Sequence, residues 1–455
     1  MTGIVPKAEI ARSRGPIGET LALLRSHFGR LGRADGWACL AIAACVTVVC
    51  VFRIEATQAA TLVNNCIFGA DSVTFWRWLL QGNYLGLGVH KHTLAVVLVA
   101  VLAHPLVWLG MPALTAVTLA LAVIWGGVAA AAYLYFRQAG LSLLTALTTT
   151  TLAMSSLGIA THAGIAETYG ATLLMIAVAC ALLPAAARMA EQRVLASACV
   201  AAATGAGLAI ANAPATAFML VYYVSLRAPS HSGDRTRLWL ICVGIPLAAI
   251  LLALIAPSIV AEGAAGTTWH RDYLGRYSKI ANFTDVTTLT NFAANVLVFS
   301  FVAPLEFLQC RFVASDIAKL ISSPLSLAAY LATVSLVIVG IARSIWGTRR
   351  RETLGLLGAA TSILVFYLYF NPDEALLYSP QWLLAFFFAA APDFQRAWAW
   401  AAAAAALCLS VNFSPLHDPR TSDPDTCCAV PPGSMLPREY PSALGKIRTL
   451  TEEAR

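Results

Sequence analysis

Apolar runs of 17 or more residues recur along this chain, and each is long enough to cross a bilayer as a helix. The runs are Ala/Leu/Val blocks, not alternating ten-residue strands, which argues against a membrane barrel. Composition agrees: 59% of the 455 residues are apolar, 12% are charged, and mean hydropathy is +0.72. A disordered chain or an ordinary soluble enzyme is excluded. The expected fold is all-α, a polytopic membrane helical bundle of about ten to twelve transmembrane helices with outer-face interfacial and re-entrant helices.

The net charge of +7 does not point to nucleic acid, because Arg and Lys sit at the ends of apolar runs, as positive-inside anchors do. Residues 1–35 form a basic tail expected to stay cytoplasmic, and they lack the charged-then-apolar pattern of a signal peptide. The transmembrane domain is expected over 36–411, with a first span of roughly Trp37 to Phe52. A first outer loop covers 53–92 and a second covers 257–291. A polar tail, 412–455, follows. Within the first loop, Val73, Trp76, Leu79 and Leu80 share a helical face that suits an interfacial helix. Most of the eleven cysteines lie in apolar runs, where Cys is a small hydrophobe. Cys427 and Cys428 are an adjacent pair in the tail, and their pairing is open.

Further apolar runs lie at 93–110, 112–136, 141–160, 168–187, 194–211, 214–226, 238–256, 292–309, 324–342, 353–370, 380–391 and 397–411. Strict alternation through all of them puts Arg137, Arg188 and Arg193 outside. If 93–110 enters and returns, with His104-Pro105 and Gly110-Met111-Pro112 as breakers, those arginines fall inside. The Arg349-Arg350-Arg351 cluster falls inside if 292–309 also fails to cross.

On this topology the outer polar residues gather on one side: Asp71, His90-Lys91-His92, His162, Glu167, the 268–285 segment, and Asp373 with Glu374. Taken singly, each has a bland explanation. Asp71 can be a helix N-cap, and Glu167 can sit at the positive end of a helix dipole. The His-Lys-His triplet can be an interfacial anchor, as can Trp269, Tyr273 and Tyr277. Asp373 and Glu374 can cap the last helices. Taken together, carboxylates and clustered cations at one rim fit an outward-facing active site. Glu167 is the sharpest case, because a carboxylate at a membrane boundary usually faces a cavity or a partner.

The segment Gly69 to Pro105, "GADSVTFWRWLLQGNYLGLGVHKHTLAVVLVAVLAHP", the "AETYG" turn at 166–170 and "FNPDEALLYSPQW" at 370–382 resemble the GT-C superfamily of integral membrane glycosyltransferases. That superfamily includes protein O-mannosyltransferases and lipid A aminoarabinose transferases, and the resemblance covers roughly 36–390. It implies an inverting enzyme of the bacterial inner membrane with its site facing outward. A sugar would move from a polyprenyl-phosphate-linked donor to a lipid, glycan or protein hydroxyl. By that resemblance Asp71 is the catalytic base, and Glu167 orients the acceptor or stabilises charge at the anomeric carbon. Lys91, His92, His270, Arg271 and Arg276 hold the donor phosphate. His90, His162, Tyr169, Asp373, Glu374 and Tyr378 line the substrate cavity. Asp71 stands alone where many members carry two acids. His90-Lys91-His92-Thr93 stands where many have His-Pro-Pro. No metal ligand set is assigned and no cofactor is expected, although a divalent metal at His90, His92 and Glu167 stays open. A secondary transporter is the competing class. It should show internal repeats and midplane charges, and the sequence shows neither. A catalytically inactive GT-C-like assembly protein is the third reading.

Overall fold

The computed structural model describes residues 31–63, 89–167, 169–189, 279–303, 305–308, 311–314, 317–372 and 375–413. These residues are almost wholly helical. The first part holds α1 (Arg33–Val63), α2 (Val89–Trp108), α3 (Ala113–Gln138), α4 (Leu143–Ser155), α5 (Leu157–His162) and α6 (Tyr169–Met189). The second holds a 3-10 turn (Ile280–Phe283), α7 (Val286–Ala294) and a π turn (Asn295–Phe299), then a hairpin of β1 (Leu305–Leu308) and β2 (Arg311–Ala314). It continues with α8 (Ile317–Ser322), α9 (Pro324–Trp346), α10 (Arg350–Phe370), α11 (Ala375–Phe394) and α12 (Trp398–Asn412). Arg33–Thr57 of α1, together with α3, α9 and α10, are long and apolar enough to cross a membrane. The chain is accordingly an integral membrane protein.

Local sequence explains the boundaries. Ser142 caps α4 by accepting from the Thr145 amide. Ser323 caps α9, with Pro324 at the first helical position, where a missing N–H costs nothing. Asp285 caps α7 through the Thr287 and Thr288 amides. Gly110 and Gly140 adopt φ of +91° and +95° in the turns that follow α2 and α3. That left-handed backbone suits glycine and lets consecutive helices fold back on each other.

The pairing of α1 with α3 sets the frame. They run antiparallel: Asp35 meets Tyr133 and Arg137, while Ala43 and Thr47 meet Gly126. A Cβ on Gly126 would lie 2.2 Å from Thr47 Oγ1 and 2.7 Å from the Ala43 carbonyl. Such close backbone approach is the usual means of helix association in lipid, where apolar burial gives no advantage. Of the four spans, α3 is the most buried and α1 the least. Trp125, Tyr133, Tyr135 and Phe136 of α3 fill the core beside Trp382 and Phe388 of α11.

Two ends can be named from their side chains. At the Arg137 end lie Asp35 and the 139–142 turn. The Arg343–Glu352 turn and the Asp393–Gln395 turn lie there as well. At the other end are His162, Gly164, the start of α6, and Asn412, which donates to the Ser155 and Phe301 carbonyls.

One expectation about breakers needs correction. The chain does not break at His104-Pro105, because α2 continues through Pro105 to Trp108. Pro105 lies in the last turn, where one lost hydrogen bond is tolerated, and the break comes at Gly110. The run 292–309 is not one apolar helix. Its helical part ends in the π turn at Phe299, and Leu305–Leu308 form β1 of the hairpin, with Glu306 opposite Val313. The aromatic and β-branched residues of the two strands, Phe307, Phe312 and Val313, fit a pleat. In addition, α1 runs on past Phe52 to Val63, and α2 starts at Val89.

Candidate functional site

The corner between α5 and α6 concentrates the buried polar chemistry. Within α5, Gly158 permits close packing on α11: a Cβ there would lie 2.0 Å from Ser379 Oγ. The amides of Leu157 and Gly158 donate to the Phe301 and Ser300 carbonyls at 2.9 Å each. His162 ends α5 and is 1% exposed. Its Nδ1 lies 2.5 Å from the Gly158 carbonyl oxygen. A carbonyl can only accept, so the ring proton sits on Nδ1 and Nε2 carries a bare lone pair. That Nε2 is buried without a hydrogen-bond partner among the described residues. Burial pulls the imidazole down to about 4, and the Gly158 carbonyl opposes this in part. The ring is therefore neutral at physiological pH.

Three of the residues expected at the site meet here, His162, Tyr169 and Tyr378, and a fourth, Glu167, is buried two residues before Tyr169. The rings of His162 and Tyr169 meet edge to face at 5.0 Å, and Tyr169 meets Tyr378 at 5.8 Å. Tyr378 stacks on Tyr367 at 3.9 Å, and Tyr367 lies 6.1 Å from Trp382. Gln381 Nε2 donates to the Tyr367 hydroxyl at 3.1 Å. Glu167 is 4% exposed and stands two residues before α6, at the end where the helix dipole favours a carboxylate.

The other expected residues are placed less fully. His90, Lys91 and His92 fall in the first turn of α2. Ala95, one turn on, is buried in the same apolar cluster as Ala166 and Ala171. Asp71, His270, Arg271, Arg276, Asp373 and Glu374 lie outside the described residues, as do the interfacial helix expected near 73–80 and Cys427 with Cys428. Among the described residues no three His, Cys, Asp or Glu side chains converge as a metal site would require.

Sequence reasoning missed Arg53. It is 3% exposed, one turn inside the end of the α1 span. The Phe413 ring covers its guanidinium at 4.0 Å, and a Cβ on Gly164 would lie 2.9 Å from its Nε. None of its three nitrogens has a hydrogen-bond partner among the described residues. Thr57, one turn on, donates to the Gly164 carbonyl at 2.7 Å. The signal was present in the sequence. Cys50, Arg53, Ile54 and Thr57 follow helical spacing, and all four are buried. Thr161 Oγ1, Trp382 Nε1 and Asn412 Oδ1, also unremarked, are buried without hydrogen-bond partners among the described residues. A cation, a carboxylate and a neutral imidazole thus lie in or against one short stretch of chain. Such a set can hold an anion, orient a hydroxyl and accept a proton. No family model, curated protein or solved structure matches this chain.

Proposed function

We propose that this protein is a membrane glycosyltransferase that moves a sugar from a polyprenyl-phosphate donor to a lipid, glycan or protein hydroxyl. The observation that carries the reading is the gathering of His162, Glu167, Tyr169 and Tyr378 at one buried corner of an integral membrane bundle. Aromatic rings together with a carboxylate two residues before Tyr169 suit a sugar, whose ring presents apolar C–H faces and hydroxyl edges. In this proposal the bundle is GT-C-like, with ten to twelve spans and re-entrant outer elements, and sits in a bacterial inner membrane with the corner facing outward. Asp71 deprotonates the acceptor, and Glu167 orients it or stabilises charge at the anomeric carbon. Lys91, His92, His270, Arg271 and Arg276 meet the leaving phosphate. His90, Asp373 and Glu374 complete the cavity wall. The corner lies at one end of the bundle, and a transporter needs its charge at half depth between paired broken helices.

The test is a deletion strain complemented with wild type, Asp71→Asn or Glu167→Gln, with expression verified. Mass spectrometry of the lipid fraction should show a polyprenyl-phosphate sugar accumulating in the deletion strain and in both variants. A lipid and glycan profile unchanged by the deletion would end the proposal.

A further inference from the structure

We infer that Arg53 is the receptor for a phosphoryl oxyanion carried at the membrane surface. Arginine keeps its charge in any protein environment, so burial cannot be relieved by loss of a proton. Yet Nε, Nη1 and Nη2 are all buried and without hydrogen-bond partners among the described residues. An uncompensated guanidinium in a core is strongly unfavourable, so its place implies a partner that arrives from outside the fold.

The surroundings point to a planar, oxygen-rich anion. One face of the guanidinium is closed by the Phe413 ring at 4.0 Å, so an anion received there would meet its N–H edges, which carry no hydrogen bond among the described residues. The backbone at Gly164 approaches so closely that a methyl group there would collide with Nε at 2.9 Å and Nη2 at 3.3 Å. The fork of N–H groups matches two oxygens of a phosphate at once, which a compact ammonium cannot do.

The source of the phosphate is suggested by the outward face of α1. Val48, Val49 and Phe52, on the turn leading to Arg53, are apolar and exposed, as the lipid-facing side of a span is. An amphiphile lying along that face would bring its head group to Arg53 with its tail against α1. This inference does not depend on sugar transfer. A phosphoryl group can be held there whether or not a glycosidic bond is made, and binding is measured separately from turnover.

The experiment uses the full chain in maltoside micelles, which contain no phosphate, and follows binding calorimetrically. The probes are farnesyl phosphate, farnesol and inorganic phosphate. Farnesyl phosphate should bind, and farnesol, with the same tail, should bind at least about tenfold more weakly. Arg53→Met should weaken farnesyl phosphate by about tenfold or more, and Arg53→Lys should recover only part of it. Gly164→Ala should also weaken it, because the new methyl displaces the guanidinium while leaving its charge. Inorganic phosphate binding as tightly as farnesyl phosphate would support the site and assign it to a soluble anion. Equal binding of farnesyl phosphate by wild type and Arg53→Met would overturn the inference. So would an unstable Arg53→Met protein restored by adding Asp71→Asn, which would mark Arg53 as half of an internal ion pair.

Discussion

The two ends of the bundle treat buried polar groups in opposite ways. At the Arg137 end, charges are matched by design of the helix termini. The last turns of α3 send Tyr133 to Asp35 and Tyr135 to Glu352, each hydroxyl donating at 2.8 Å. Each carboxylate also pairs with an arginine. Arg137 Nε lies 2.5 Å from Asp35, Arg349 Nε lies 2.7 Å from Glu352, and Arg343 reaches Asp393 at 2.9 Å. The buried groups left without partners at this end, on Gln138 and Ser344, are neutral. At the His162 end the buried groups without partners include a cation, Arg53, and an imidazole nitrogen. Satisfied networks make a fold rigid, whereas unsatisfied buried groups cost stability and persist where function uses them. The comparison therefore separates a scaffold end from a working end.

The largest effect expected is a pH effect confined to the working end. The fold holds His162 at about 4, whereas the unfolded chain takes up its proton near 6.5. The folded pKa is depressed, so this contribution is fully present above about 6.5. It is lost as pH falls from 6.5 towards 4, by about 3 kcal/mol in all. Thermal unfolding in micelles across that window should show the decline, and His162→Gln should flatten it. A decline of the same size in the variant would place the acid sensitivity elsewhere.

The scaffold end should respond strongly to loss of a partner at any pH. Arg137→Leu leaves Asp35 buried with only the Tyr133 hydroxyl and the Gly32 amide, and should cost about 2 kcal/mol in unfolding. By contrast Arg343→Ala removes a side chain that is 59% exposed, and solvent screening keeps its loss well under about 1 kcal/mol. If Arg343 proves as costly as Arg137, the exposure of the arginine, 59% against 21%, is not what distinguishes these pairs.

The frame of this comparison was largely legible in the sequence, and the working end was not. Apolar period and length show where α3, α9, α10 and α12 run. Grouping the basic turns puts Arg137 and Arg349 at one end, where the structure also has them. Pro105 and the 305–314 hairpin misled, because proline's effect depends on how near the helix end it falls, and a short pleat inside an apolar run has no helical period to betray it. His162, Glu167, Tyr169 and Tyr378 could be named because they flank apolar runs. Arg53 was read as the first residue of a loop. Its helical spacing with Cys50, Ile54 and Thr57 is the signal to follow, and the continuation of α1 to Val63 shows that it is inside a helix and turned to the core.

Packing around the corner gives a sharper, smaller test. Gly158→Ala would set a methyl group 2.0 Å from Ser379 Oγ and 3.0 Å from its Cβ, forcing α5 and α11 apart at about 1–2 kcal/mol. Pairing it with Ser379→Gly should return most of that loss, since the clash lies wholly with this side chain. Non-additivity of the double variant, read from unfolding midpoints, measures the contact directly. Additive losses would mean that the two helices do not meet there.

The smallest expected change is the most discriminating. Removing one member of a buried ion pair is normally ruinous because it strands the other, but Arg53 has no hydrogen-bonding partner to strand among the described residues. Methionine keeps most of its length against Phe413 and removes the buried charge, so Arg53→Met should leave the unfolding midpoint unchanged or raise it, by up to about 1 kcal/mol. The same variant should lose farnesyl phosphate binding. Stability held while binding fails is the signature of a residue kept for a ligand. Arg137→Leu should give the reverse, with stability lost while whatever protein stays folded still binds. If Arg53→Met instead unfolds as readily as Arg137→Leu, its guanidinium is a structural member like those at the other end, and the contrast between the two ends disappears.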